Sequence, residues 1–259
     1  MALFPWRSMV LRVLGTLLAS VVAGLVLPAP GTSQTRPPSD VISSDRPGLG
    51  DGAHVLAPGV WQAELGATIH SQGADDFLVG NSLLRVGFSG AELRVFLPDA
   101  VLLHAGESLR LGDMGVGLKF PLDFGGPWRW AGTGVLTLPT GARSLSADDP
   151  GAGASLIAER SLSSTVGLAL NAGYGFLFDS PGDGTLSLLA TPSFAVPHHE
   201  GLSLYAGYAL YVRPGDDAHY LEAGLAKLDG PDRQWDVNAG YDPGGHVWFL
   251  GVGVAMRKR

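Results

Sequence analysis

Strict alternation along short segments constrains this chain more than any other feature. Trp61, Ala63, Leu65, Ala67 and Ile69 fall on one face of an extended strand, and Gln62, Glu64, Thr68 and His70 fall on the other, because successive side chains on a strand point to opposite sides. One face suits hydrocarbon and the other suits water. After this segment, at about 60–70, comparable ones follow at about 77–88, 90–97, 109–120, 128–138, 152–160, 164–176, 185–196, 202–212, 218–228, 233–241 and 246–256. Most are near the ~9–11 residues that a tilted membrane strand requires. The expectation is an all-β fold, a transmembrane antiparallel up-and-down β-barrel of about 12 strands, in which closure leaves no unpaired edge in lipid.

The N-terminus reads differently. Arg7 and Arg12 precede an apolar run from Val13 to Leu27, and small residues Gly31 and Ser33 come before Gln34, the layout of a secretory signal. The expected organisation is therefore a signal peptide over 1–33, an extended periplasmic leader or plug segment over 34–58, and an outer-membrane barrel over 59–259. Beyond the signal no run approaches the 18 apolar residues of a membrane helix. With no cysteine and a net charge of -7, disulfide scaffolds, thiolate metal sites and nucleic-acid partners are not expected.

Two checks bear on orientation. Connections after odd-numbered strands include the long stretches Pro98 to Ser108 and Pro139 to Gly151, whereas Ser89 and Ser161 to Ser163 follow even-numbered strands; long connections belong at the cell surface. Those loops are acidic, with Asp148, Asp149, Asp179 and Asp183 among others, as a solvated face would be. Aromatics also sort by strand end. Trp61, Phe88, Phe120, Trp128, Trp130, Phe194 and Trp235 fall near the periplasmic rim, and Tyr174, Phe176, Tyr241 and Trp248 near the opposite one, as in interfacial girdles.

The alternate face of each strand should line the lumen. It carries Gln62, Glu64, Asn81, Arg85, Glu92, Arg94, Asp113, Lys119, Arg129, Glu159, Asn171, Lys227, Asp236 and Asn238. Charges at membrane depth must face water or one another. Arg85, Arg94, Lys119 and Arg129 are expected to face Glu64, Glu92, Asp113 and Asp236 across a constriction, so these eight are the candidate pore-lining residues. Glycine pairs inside strands, such as Gly173 with Gly175 and Gly251 with Gly253, relieve crowding and allow curvature.

Catalytic and metal chemistry is poorly supported. The seven histidines lack metal-ligand spacing, and no nucleophile elbow, Walker loop or zinc-protease motif occurs. Ser187 or Ser193 with His219 is the best hydrolase pairing available, and nothing in the spacing singles it out. A soluble barrel binding an apolar ligand would invert the faces, placing Leu65, Val116 and Val252 inside.

Several pieces resemble a known family. Ser44-Asp45-Arg46-Pro47-Gly48 with Asp51-Gly52, Pro58-Gly59 and Trp61 to Gly66 is similar to the opening of the phenol meta-pathway degradation (MetA-like) transporter family, whose members are outer-membrane barrels. Leu111-Gly112-Asp113 with Gly115 to Lys119, Leu138 to Gly141 and Trp248 to Val254 continue the resemblance from about residue 41 to the end. It implies passage of small, often aromatic or hydrophobic molecules across the outer membrane. The implied partners are outer-membrane lipid, a small-molecule solute and the barrel assembly machinery, with no cofactor and no catalytic step. Family members often end on an aromatic residue, whereas this chain ends Met256-Arg257-Lys258-Arg259.

Overall fold

The computed structural model describes residues 41–46, 48–71, 75–103 and 109–259. The signal segment and residues 34–40 lie outside the described residues, as do His104, Glu107 and the side chains of Asp75, Asp76 and Asn81. Among the described residues there are fourteen strands: β1 Trp61–Ser71, β2 Asp75–Phe88, β3 Ala91–Phe96, β4 Ala100–Leu103, β5 Leu109–Leu111, β6 Met114–Leu122, β7 Arg129–Leu138, β8 Gly151–Ser161, β9 Val166–Leu177, β10 Thr185–Ala195, β11 Leu202–Arg213, β12 Asp216–Leu228, β13 Arg233–Asp242 and β14 Val247–Lys258. Neighbours pair antiparallel around a closed ring. The seam runs between β1 and β14, from Trp61 opposite Lys258 to Ser71 opposite Trp248.

Fourteen segments make twelve barrel staves. Both β3 and β4 pair with β2, through Leu83 opposite Phe96 and Val79 opposite Ala100, so together they form the third stave. β6 and β5 form the fourth, pairing with β3 and β4 respectively. The break at Leu97 to Asp99 follows from Pro98, which offers no N–H to a ladder. Beyond it Ala100–Leu103 resumes pairing. Residues 100–103 of the stretch expected as a long loop from Pro98 to Ser108 are thus strand. The loop-length alternation is also weaker than expected, because Arg213 is followed by β12 after only a tight turn at Gly215.

The faces are those of a membrane barrel. Leu65, Leu221, Leu250 and Val252 are 46–58% exposed within an outward apolar band. Gln62, Arg85, Glu92 and Lys119 have no exposed surface at all. A soluble lipocalin-like barrel would need the reverse. Trp61 and Trp235 stand outside at the end with residue 60, and Tyr241 and Trp248 at the other.

Candidate functional site

Residues 41–46 and 48–60 lie against the inward faces of the strands. An irregular segment has no ladder to satisfy its own amides, so its donors need partners from the surrounding wall. The wall supplies acidic and amide side chains. Asp45 N donates to Glu64 Oε1 (3.3 Å), Leu49 N to Glu222 Oε2 (3.1 Å) and Asp51 N to Asn171 Oδ1 (3.0 Å). Ala53 N donates to Glu159 Oε2 and Leu56 N to Glu92 Oε2, both at 3.0 Å. These acceptors come from β1, β12, β9, β8 and β3, so the segment is gripped around most of the ring. Gly48 turns it at φ +118° beneath Glu222 and Tyr205, a conformation that side chains disfavour. Ala53 and Val55 pack on Ala131 and Ile157.

A charged cluster sits at the centre of this contact. Arg85 Nε donates to Glu92 Oε1 (2.7 Å) and its Nη1 to Glu64 Oε1 (2.9 Å), while further donors reach the carbonyls of Ser43 (3.2 Å) and His54 (3.1 Å). Arg94 Nη1 donates to Asp45 Oδ2 at 2.6 Å, and Lys119 Nζ lies 3.0 Å from both Asp45 oxygens. Arg85 Nη1 is 3.4 Å from Asp45 Oδ2. Burial alone would raise the Asp45 carboxyl, but Arg85, Lys119 and Arg94 outweigh it and hold it well below the usual carboxylate range. A second acid of the segment, Asp51, meets Arg94 Nη2 at 3.2 Å.

Next to the cluster, Arg46 crosses to the seam. Its Nη2 donates to Asp236 Oδ1 (3.2 Å) and to the Val252 carbonyl (3.3 Å). Room for the guanidinium comes from Gly66 and Gly253, which face each other across β1 and β14; a Cβ on either would overlap it. Gln234 Nε2 holds the Arg46 carbonyl at 2.8 Å. Where the segment enters the barrel, Arg257 Nη1 donates to the Val41 carbonyl (3.2 Å) and its Nε to Asp232 (2.8 Å).

The candidate pore-lining residues therefore separate into two groups. Glu64, Arg85, Glu92, Arg94 and Lys119 converge, and Asp236 joins them through Arg46. Arg85 pairs directly with the wall acids Glu64 and Glu92, and all three cations also meet Asp45 of the segment, which fills the space between them. Asp113 stands apart at the β5–β6 break, accepting from Gly141 N (2.8 Å), Ala147 N (3.1 Å) and Ser146 Oγ (3.2 Å), where it organises the loop after β7. Arg129 pairs with Glu159 at 3.5 Å, 41% exposed at the opposite end. Lys227 is not in the lumen. It lies opposite the outward Trp235, and its long side chain reaches the Glu200 carbonyl (2.6 Å) at the rim. Sequence reasoning missed Glu222 and Gln234, although both alternate with outward residues.

Beyond the segment, toward the long-loop end, the wall has two characters. His70, Phe249, Tyr220 and Tyr211 form a chain of rings with successive centroids 6.0, 6.4 and 6.1 Å apart. Across the ring, β7–β10 present small residues, and a cavity of about 200 Å³ lies against Thr133, Val135, Ser155 and Ser187. A second cavity, of about 390 Å³, opens at the other mouth between Ile42, Val196, Leu202 and Leu228. Ser187 and Ser193 share the inward face of β10 with buried Leu189, whereas His219 lies outside on β12 with its Nδ1 2.6 Å from the Tyr208 hydroxyl. The hydrolase pairing is not assembled.

Comparison with known proteins follows this geometry. The family described as "Putative MetA-pathway of phenol degradation" matches residues 44–257. The chain belongs to this family. The match to the MetA-pathway family begins at residue 44, so most of the inward segment lies within it. Among solved structures, the COG4313 outer membrane channel from Pseudomonas putida F1 is similar with a TM-score of 0.59 at 13% identity, covering 82% of this chain and 99% of that one. The KdgM porin in complex with disordered oligogalacturonate has a TM-score of 0.56 at 10% identity, covering 75% and 98%. The NanC porin has 0.55 at 11%, covering 75% and 98%. At these identities the likeness is one of fold. Comparison with curated protein sequences gave no match.

The histidine of the segment gives a pH test of its seating. Burial, with Arg85, Arg129 and Lys119 opposing a further positive charge and Glu92 working the other way, pushes the His54 imidazole down to about 4. A neutral His54 is thus favoured when the segment is seated. That contribution is complete above pH 6.5 and is lost as pH falls through about 4, and it is worth at most about 3 kcal/mol. Asp51 acts in the opposite sense, because burial and the Asp45 carboxylate raise its carboxyl. The chain has no cysteine, so an Ala53→Cys thiol, placed at a position only 1% exposed, reports seating through its rate of modification by a neutral thiol reagent. Between pH 7.5 and 5 the rate should rise relative to that of the same chain carrying His54→Gln. A constant ratio would remove His54 from the account.

Proposed function

We propose that this protein is an outer-membrane channel for small molecules, aromatic ones included, and that residues 41–58 act as a tethered plug seated in its lumen. The observation that carries this is the grip on the segment by wall side chains from β1, β3, β8, β9 and β12. A wall that merely filled space would be apolar, because burying ion pairs yields little net stability over hydrophobic packing. Polar contacts can instead be exchanged for water when the segment leaves. Glu64, Arg85, Glu92, Arg94, Lys119 and Asp236 line the passage at the plug's level, with Asp113 and Arg129 toward its two mouths. The aromatic face of His70, Phe249, Tyr220 and Tyr211 offers stacking surface to a planar solute. The end bearing the segment faces the periplasm, and the acidic loops face outward.

Planar-bilayer recording tests this. The mature chain should give rare or small steps, and a chain that begins at Gly59 after its signal should give frequent larger ones and let small solutes swell liposomes. A shortened chain that folds to a heat-modifiable barrel yet stays silent would point instead to a sealed structural barrel.

A further inference from the structure

The cluster around Asp45 has the composition of an anion site whose present occupant is part of the chain. On the barrel wall, Arg85, Arg94 and Lys119 carry three positive charges, and Glu64 and Glu92 carry two negative ones. Arg85 is satisfied by the two glutamates, at 2.9 and 2.7 Å. Arg94 is 3.7 Å from Glu92. Lys119, with no exposed side-chain surface, directs its ammonium at both oxygens of Asp45. The wall therefore carries one positive charge more than its negative ones, and where the segment covers it this charge is buried, a costly arrangement unless a carboxylate accompanies it. Asp45 is that carboxylate, with its Oδ2 2.6 Å from Arg94.

We propose that Arg94, Lys119 and Arg85 form a binding site for the carboxylate of a small monoanionic solute, and that Asp45 occupies it as an internal mimic. A solute monocarboxylate and Asp45 then compete for the same three cations, so the permeant that fits the site also unseats the plug. On the wall alone the charge count favours a monoanion; the segment's second acid, Asp51, meets only Arg94 Nη2 at 3.2 Å and keeps about a third of its side chain exposed, so it needs no cation of its own. Three converging donors on two oxygens also favour a carboxylate over a spherical anion. This inference rests on the channel reading.

Fluorine NMR of the folded full chain in micelles tests it, with 4-fluorobenzoate as the probe and 4-fluorobenzamide as its neutral counterpart. The Asp45→Asn chain should bind 4-fluorobenzoate at least tenfold more tightly than the parent and show no such gain for the amide. Adding Lys119→Met should abolish the gain. Equal binding by parent and Asp45→Asn, or a gain that survives Lys119→Met, would overturn the site. Should Asp45→Asn not fold, the Ala53→Cys chain serves. There 4-fluorobenzoate should speed thiol modification several-fold and the amide should not, and no acceleration would equally overturn the proposal. Conductance of the same proteins separates the two readings. A chain that binds the benzoate but passes no current would sink the channel and leave the site, whereas a conducting chain without carboxylate preference would sink the site alone.

Discussion

Arg85→Met should leave a folded barrel with its plug released. In the parent every arm of the Arg85 guanidinium is used, on Glu92, Glu64 and the carbonyls of Ser43 and His54. Removing it strands two carboxylates that have almost no exposure, a change that costs about 3–5 kcal/mol where the surroundings cannot relax. The sheet cannot relax, since it is closed. The segment can, by leaving and admitting water to Glu64 and Glu92, so the penalty appears as a shift in seating rather than as unfolding. At about 1.4 kcal/mol per factor of ten, the released population should rise a hundredfold or more. Modification of an Ala53→Cys thiol should accelerate accordingly, because slow labelling follows the open population. Arg85→Lys should recover only part of the seating, since a single ammonium cannot span both glutamates as the planar fork does. An unchanged labelling rate in Arg85→Met would sink the claim that this arginine holds the segment.

Gly87→Val approaches the same state through sterics. Gly87 N donates to the Val60 carbonyl (2.9 Å), and Gly59 N donates to the Gly87 carbonyl (3.0 Å), so the end of the segment is tied to β2 at this residue. A Cβ on Gly87 would overlap the carbonyl oxygens of Ala57 and Leu56. Backbone cannot swing aside as a side chain can, and the hydrogen bonds on either side fix its position. Valine should therefore expel Leu56 and Ala57, break the Leu56 amide bond to Glu92, and raise both conductance and thiol modification by an order of magnitude or more. Gly134→Ala is the matched control, because a Cβ there meets nothing within 4 Å. If Gly87→Val and Gly134→Ala behave alike, the close approach at Gly87 has no bearing on seating.

Much of the barrel is legible in the chain because a period of two is a local property. Leu65 and Val252 outside, and Glu64, Arg85 and Glu92 inside, follow from counting along each strand. Where a break interrupts the count, legibility fails. Pro98 splits the third stave, and the apolar Ala100–Leu103 beyond it is too short to announce itself as strand. Lys227 was misplaced for a related reason, since a lysine at a strand end can lie on the outer face and still reach polar atoms at the rim. The partners of the lumen cations were the least accessible part. Asp45 is 49 residues from Arg94 and 74 from Lys119, and no local pattern joins positions so far apart. Gly253 reads as a strand glycine that allows curvature, yet only the contacts show that it, with Gly66 and Gly87, makes room for the segment.

The same long separations impose an order on biogenesis. The proposed plug is made before any strand of the barrel, but the groups that seat it come from both ends of the chain. Arg46 needs Asp236, 190 residues away, and Val41 needs Arg257, 216 residues away. Contacts of such range form late, after the intervening loops have closed. A chain stalled short of β13 or β14 would thus grip Ser43 and Asp45 through Glu64, Arg85 and Lys119 but lack the ties of Arg46 to Asp236 and of Val41 to Arg257, and the insertion of the last strands would be the event that completes the grip. Completion of the wall and completion of the grip are one step, so a half-built barrel would hold its inward segment only loosely.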